Sequence, residues 1–111
     1  MRAILSEVDG TTKEIDIGNY KDYYKYIGCD SFDVVRLTWG DINVSIFIDD
    51  EGLMKPNNIG RKVFGYPEAL FGNMVITGDV DDEGKTLPLP KEITVETVQI
   101  LIGDPIYIVG G

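Results

Sequence analysis

The sequence predicts an α+β fold: a small, twisted, mainly antiparallel sheet of about five strands, made of two hairpins plus a later strand, with two short helices packed on it. Two hairpin patterns in the first half of the chain, and a helical stripe between them, support this prediction. The chain has 111 residues, of which 43% are hydrophobic. Because this length is typical of one domain with one core, we expect residues 1–111 to form a single domain.

The first hairpin is predicted from residues 2–17. Residues 2–8 (RAILSEV) form an apolar run that ends at Asp9 and Gly10, a pair typical of tight turns. Beyond the turn, residues 12–17 alternate, with Ile15 and Ile17 on one face of an extended chain. We therefore expect strands over residues 2–8 and 12–17.

A short helix is predicted between the hairpins. Asn19 stands where an N-cap is expected and Gly28 where a helix would end. One helical stripe consists of Tyr20, Tyr23, Tyr24 and Ile27. We expect this stripe to pack on the sheet, because so short a helix is marginal alone. The alternative is that the tyrosines form a stacking platform for bases.

The clearest pattern lies in residues 32–48, FDVVRLTWGDINVSIFI. If Gly40 and Asp41 form a two-residue turn, the register follows by counting outward. One face is then wholly apolar and consists of Val35, Leu37, Trp39, Ile42, Val44 and Ile46. We expect the tyrosine helix to pack on this face. The other face is half polar, with Arg36 opposite Ser45 and Thr38 opposite Asn43, and half apolar, with Val34 and Phe47.

Residues 53–72 have no clear period and contain two prolines and three glycines. We expect an irregular loop in which Asn57 or Asn58 caps a short helical turn through Arg61 and Lys62. Long irregular loops are often functional. The candidate ligand-binding residues are therefore the polar half of the hairpin and this loop, namely Arg36, Asn43, Ser45, Asn57, Asn58 and Arg61. Arginines and amides in this number suit a phosphate or carboxylate.

The sequence of the last third of the chain predicts a strand, an acidic turn and two further elements. Residues 73–78 form a strand of the buried type. Asp79, Asp81 and Glu83 match half of a calcium loop, but the closing glutamate is missing, so we expect a solvated turn. For residues 93–102 we favour a helix with Thr94 as N-cap and Gly103 at its end. A strand stays open there, because the segment is rich in β-branched residues. The apolar IYIV that follows is expected to pair as a short strand.

The residue content of the chain argues against several kinds of catalytic, metal and nucleic-acid-binding site. The chain has no histidine, so we expect neither a His-based nucleophile nor a zinc site built on histidine. Asp30 follows the one cysteine, Cys29, so a reactive thiol is not expected. We therefore expect no enzyme activity, no cofactor and no metal. The net charge of −9 argues against direct binding of nucleic acid. The chain has neither an apolar run of roughly 20 residues nor a signal-peptide core, so we expect no membrane contact and a cytoplasmic location.

Four short motifs, in order, resemble a known family. They are Val35-Arg36-Leu37, Asp50-Glu51-Gly52, Pro56-Asn57-Asn58 with Arg61, and Val75-Ile76-Thr77-Gly78. In this order and spacing, roughly residues 30–90 resemble the small bacterial and phage proteins termed domain of unknown function 3846. The resemblance implies a setting in phages or other mobile elements inside bacteria, and it implies no chemistry.

Two functions follow as expectations. The first is a small acidic, non-catalytic protein-interaction module with a protein partner. The alternative is a domain that binds a small anionic, nucleotide-like ligand through Arg36 and the loop of residues 57–61. A homodimer is a further expectation, because it would cover a free edge of a small sheet.

Overall fold

Two antiparallel sheets form the framework of the structure, a computed structural model that describes residues 1–55 and 58–108, with side chains up to residue 106. The strands are β1 (Arg2–Ser6), β2 (Thr12–Asp16), β3 (Phe32–Trp39), β4 (Ile42–Asp49), β5 (Ile59–Val63), β6 (Ala69–Phe71), β7 (Met74–Gly78) and β8 (Ile102–Ile108). The helices are α1 (Lys21–Ile27) and α2 (Val95–Leu101), with a 3₁₀ turn over Gly52–Met54. One sheet has the order β2-β1-β7-β4-β3, and the other has the order β6-β5-β8.

The five-stranded sheet confirms the predicted fold class. It consists of the β1–β2 hairpin, the β3–β4 hairpin and the later strand β7, which lies between them. The counted register of the central hairpin is correct, since Trp39 pairs with Ile42, and Arg36 with Ser45. Gly40 takes a φ of 67°, the left-handed conformation that a tight hairpin turn requires.

Both faces of this sheet carry apolar clusters, and α1 does not lie on the predicted one. The Trp39 face is buried against α2 and the three-stranded sheet, through side chains such as Val63 and Val98. Helix α1 packs on the opposite face, where the Tyr23 ring stacks on Phe47 with centroids 4.1 Å apart. The prediction that the tyrosine helix covers the Trp39 face is wrong, because Phe47 provides a second apolar surface.

Side-chain hydrogen bonds mark the start of α1, and a left-handed glycine ends it. The N-cap is Tyr20 rather than the predicted Asn19. The side-chain oxygen of Asn19 accepts a hydrogen bond from the Lys21 amide at 2.9 Å. The Asp22 carboxylate accepts from the amides of Gly18 (2.6 Å) and Asn19 (3.2 Å), and these bonds lower the pKa of Asp22. Gly28 ends the helix with a φ of 73°, as predicted.

The three-stranded sheet was not predicted. Residues 59–63 form β5 where a helical turn at Arg61 and Lys62 was expected, so that prediction is wrong. Strand β5 pairs with β6 and with β8, which lies at the far end of the chain. Gly60 lets the sheet close, since a Cβ there would lie 2.6 Å from the Phe71 ring.

Residues 95–101 form a helix, which resolves the helix-or-strand alternative. The Thr94 hydroxyl accepts a hydrogen bond from the Thr97 amide at 3.2 Å, the predicted N-cap. The predicted end at Gly103 is wrong, because strand β8 begins at Ile102 directly after the helix. In the described ranges, neither helix is long or apolar enough to cross a lipid bilayer.

Candidate functional site

A groove with several carboxylates in its lining lies between the open end of the β3–β4 hairpin and β6. It has a volume of about 210 Å³. Its lining combines apolar side chains with carboxylates, and the main members are Asp33, Ile48, Asp50, Leu53, Tyr66, Glu68, Leu70 and Phe71. We call these eight residues the acidic groove.

Hairpin register places the first two rim residues. Asp33 pairs with Ile48, so both lie on the face of the sheet that carries Val35 and Ile46. At this end that face is no longer covered, and Asp33 is exposed. Asp50 follows β4 directly, and its carboxylate accepts a hydrogen bond from the Ser31 hydroxyl at 2.6 Å. The hairpin thus holds two carboxylates beside an apolar side chain.

The third rim residue comes from the turn between β5 and β6. Glu68 stands directly before β6, whose Leu70 is buried in the core. The 3₁₀ turn adds Leu53, which is largely exposed. An apolar floor with an acidic rim therefore forms between the β3–β4 hairpin, the 3₁₀ turn and β6.

The charge of the groove is not neutralised from within the described part of the chain. Asp49, which also borders the groove, is buried and forms an ion pair with Lys55. The hydrogen bond from that ion pair raises the pKa of Lys55. By contrast, among residues 1–55 and 58–106 no cation lies within 4 Å of the Asp33, Asp50 or Glu68 carboxylates. Three negative charges therefore face solvent beside apolar surface.

The polar half of the hairpin lies at the opposite end of β3 and β4. Arg36 and Asn43 line a pocket of about 230 Å³ together with Asp79. The Thr38 hydroxyl donates to Asn43 at 2.8 Å, and the Asn43 amide donates to Asp79 at 3.2 Å. Ser45, which pairs with Arg36 across the two strands, is buried. Asn43 is thus committed to a network that ends in a carboxylate, which disfavours an anion in this pocket.

The loop residues lie in two other places. The Asn58 amide donates to the Gly52 carbonyl at 2.7 Å, and its side-chain oxygen accepts from the Ile59 amide at 3.1 Å, so it holds the loop together. Arg61 lines a separate pocket beside the β1–β2 turn. Asn57 lies outside the described residues. The five described candidates therefore do not come together in one site.

Two other sequence features have a plain structural role. The Asp81 carboxylate accepts from the amides of Glu83 (2.9 Å) and Lys85 (2.8 Å), which shapes the acidic turn. Within the described ranges, no group of three acidic or cysteine side chains could hold a metal ion. Burial, and then the Asp49 carboxylate, raises the pKa of the Cys29 thiol, so its thiolate is disfavoured at neutral pH.

Sequence reasoning missed the acidic groove, although one signal was present. The counted register puts Asp33 on the same face as Val35, Leu37 and Trp39. An acid on an otherwise apolar face indicates either a buried partner or an exposed end of the sheet. No such signal pointed to Glu68, because strand β6, which begins directly after it, was not predicted.

Comparison with known proteins places the chain in a family and leaves its activity open. No curated protein and no solved structure matches the chain. The family described as "Domain of unknown function (DUF3846)" matches residues 1–107, a longer span than the motifs suggested. The match covers nearly the whole chain, including both hairpins, the acidic groove and strand β8 up to residue 107. The chain therefore belongs to the DUF3846 family.

Proposed function

We propose that the chain is a non-catalytic protein-interaction module that binds a basic, partly apolar segment of a partner protein in the acidic groove. The observation that carries this proposal is the combination of an apolar floor with three carboxylates that lack a cation in the described part of the chain. Exposed apolar surface rimmed by polar groups is typical of protein-binding sites. The net charge of −9 favours a basic partner by the same logic.

Lysine and arginine suit the groove because each has an aliphatic stem and a charged head. Their aliphatic stems pack on apolar surface while the charged heads stay in water. Here the stems would lie over Ile48 and Leu53, and the heads would reach Asp33 and Glu68. Charge complementarity of this kind mainly raises the association rate and selects the partner.

Strand β3 offers a second means of attachment next to the groove. It is an edge strand of the five-stranded sheet, so a partner segment could pair with its backbone. Asp33 lies on this strand, and its neighbour Val34 is 43% exposed on the other face. An extended basic segment would thus bind β3 through its backbone and the groove through alternate side chains.

The setting of this activity is part of the proposal. We propose the bacterial cytoplasm as the location and a phage or another mobile element as the source of the chain, and the resemblance to phage and bacterial proteins supports both. A homodimer through β3 would compete for the same edge. Light scattering of the purified protein separates the two arrangements, because a dimer would double the measured mass.

The test is binding of a labelled peptide in which arginine alternates with leucine, followed by fluorescence anisotropy and amide chemical shifts. We expect the shifts to cluster on the acidic groove and β3. The variant Asp33→Asn/Asp50→Asn/Glu68→Gln should weaken binding about tenfold, since three surface charge pairs at about 0.5 kcal/mol each sum to about one decade. Raising NaCl from about 0.05 M to about 0.5 M should weaken binding as well.

The matched control removes the same charge elsewhere. Asp82, Glu92 and Glu96 are exposed and lie outside the groove. Their replacement by Asn, Gln and Gln should leave peptide affinity within about twofold, apart from the long-range effect of net charge. Equal weakening by both triple variants, or shifts spread over the whole surface, would contradict a groove-specific interaction.

A further inference from the structure

Arg61 is a buried cation that forms no ion pair among the described residues. Its charge still acts at longer range on Asp9, where it adds to the hydrogen bonds from Thr11 that lower the pKa of that carboxyl. The Arg61 side chain is 9% exposed, its Nη1 donates to the Gly103 carbonyl at 3.0 Å, and its Nη2 donates to the Val8 carbonyl at 3.1 Å. Among the described residues, no carboxylate lies within 4 Å of the guanidinium, and Nε has no acceptor. Burying a charge is costly unless a counter-charge accompanies it. Two neutral carbonyls offset only part of that cost.

The backbone at Arg61 is irregular in a way that often accompanies binding sites. The pairing of β5 with β8 shifts register on both sides of Arg61, between Gly60 and Arg61 and between Arg61 and Val63. Such bulges re-aim a side chain and are frequent next to functional sites. Here the side chain reaches the carbonyl of Val8, beside the β1–β2 turn.

The pocket beside Arg61 is small and mostly polar. Its volume is about 180 Å³. The lining that matters here consists of Ser6, Thr12, Arg61, Gln99 and Asp104. Ser6 and Thr12 are cross-strand neighbours on β1 and β2, and Gln99 comes from α2. The volume is below the roughly 300 Å³ of drug-sized sites, so it suits a single small group rather than a whole nucleotide.

We propose that this pocket binds a phosphate-type oxyanion, with Arg61 supplying the charge and Ser6, Thr12 and Gln99 supplying hydrogen-bond donors. The Thr12 hydroxyl donates to the Gly10 carbonyl at 3.5 Å, a long hydrogen bond that the oxyanion would replace. Each terminal guanidinium nitrogen of Arg61 has two N–H groups, of which the carbonyl bonds use one, so donors stay available. Hydroxyl and amide groups from three elements surround the space, which suits the several oxygens of a phosphate better than one carboxylate. Asp104 is exposed and lowers the affinity of the pocket.

This site is independent of the proposed function. None of its lining residues belongs to the acidic groove. The pocket beside Arg61 would therefore bind a second ligand on a different surface. An experiment can disprove one proposal and leave the other standing.

The test avoids replacing Arg61 itself, because its two carbonyl bonds also hold the fold. Gln99 is exposed, so its variants should fold normally. The measurement is amide chemical shift during titration with inorganic phosphate, against chloride at equal ionic strength. Gln99→Glu should weaken phosphate binding about tenfold and Gln99→Lys should strengthen it about tenfold, as expected for a unit charge at a partly solvated site. Asp104→Asn should strengthen it several-fold.

Asp82→Asn is the matched control, since it changes net charge as Asp104→Asn does but lies outside the pocket. It should leave phosphate affinity unchanged, and all four variants should bind the arginine–leucine peptide like the wild type. The proposal is overturned if phosphate gives no shifts beyond those of chloride. It is equally overturned if the shifts miss the pocket or do not respond to Gln99 and Asp104.

Discussion

Ser45 provides a sharp test of the packing, because its hydroxyl is buried without a partner. The side chain is 1% exposed in strand β4, and within the described ranges its Oγ makes no hydrogen bond. A buried polar group of this kind costs about 1–3 kcal/mol. Ser45→Ala removes the hydroxyl and leaves a void of one atom. We therefore expect the free energy of unfolding to rise by about 1 kcal/mol.

Urea unfolding followed by the fluorescence of Trp39 measures this change. Trp39 is the one tryptophan of the chain and is buried. With a denaturant slope of about 2 kcal/mol per molar, the midpoint should rise by about 0.5 M. The control is Thr77→Val, which keeps the shape at the position opposite Ser45 but removes a hydroxyl that donates to the Gly78 carbonyl at 3.2 Å. This control should lose about 0.5–1.5 kcal/mol. If Ser45→Ala also lowers the midpoint, the hydroxyl has a partner and the reasoning is refuted.

Two further predictions concern the backbone and acid stability. Gly78→Ala should destabilise the protein by about 1–3 kcal/mol in the same assay, since a Cβ there would clash with the Pro88 carbonyl oxygen. Gly103→Ala, whose Cβ would lie 3.9 Å from the Lys62 carbonyl oxygen, should be nearly neutral, and equal losses would contradict the steric argument. Two backbone amides hold the pKa of Asp22 below its unfolded value of 3.8, so its stabilising effect is present above that pH and is lost as pH falls through the folded pKa. Wild type should therefore exceed Asp22→Asn in stability near neutral pH and converge with it in acid, and a constant gap down to the lowest pH would contradict this.

The central hairpin is predicted well from the sequence, because neighbouring residues determine its turn and its register. A two-residue turn at Gly40 fixes the register, and alternation then assigns every side chain to a face. The capping residues Gly28 and Thr94 are local signals in the same sense. Extending the same count by two residues puts Asp33 on the apolar face, a step that the prediction did not include, and there Asp33 lines the acidic groove.

Features that depend on distant contacts could not be predicted. Ile46 and Phe47 give the hairpin an apolar side chain on each face, so periodicity alone does not say which face α1 covers. Strands β5 and β6 are short, and β5 completes its pairing only with β8 near the end of the described chain. For the same reason the sequence could not predict which residues surround Arg61 in its pocket, and its role in anion binding stays a prediction.

The position of β7 in the five-stranded sheet has a consequence for how the chain assembles. The two hairpins can each form from neighbouring segments soon after synthesis, since their contacts are local. They share no ladder with each other, because β7 separates β1 from β4. The sheet can close only when residues 74–78 have left the ribosome and insert between the hairpins. Until then, one edge of β1 and one edge of β4 stay open to other chains, which makes the arrival of β7 the step that protects the nascent protein from aggregation.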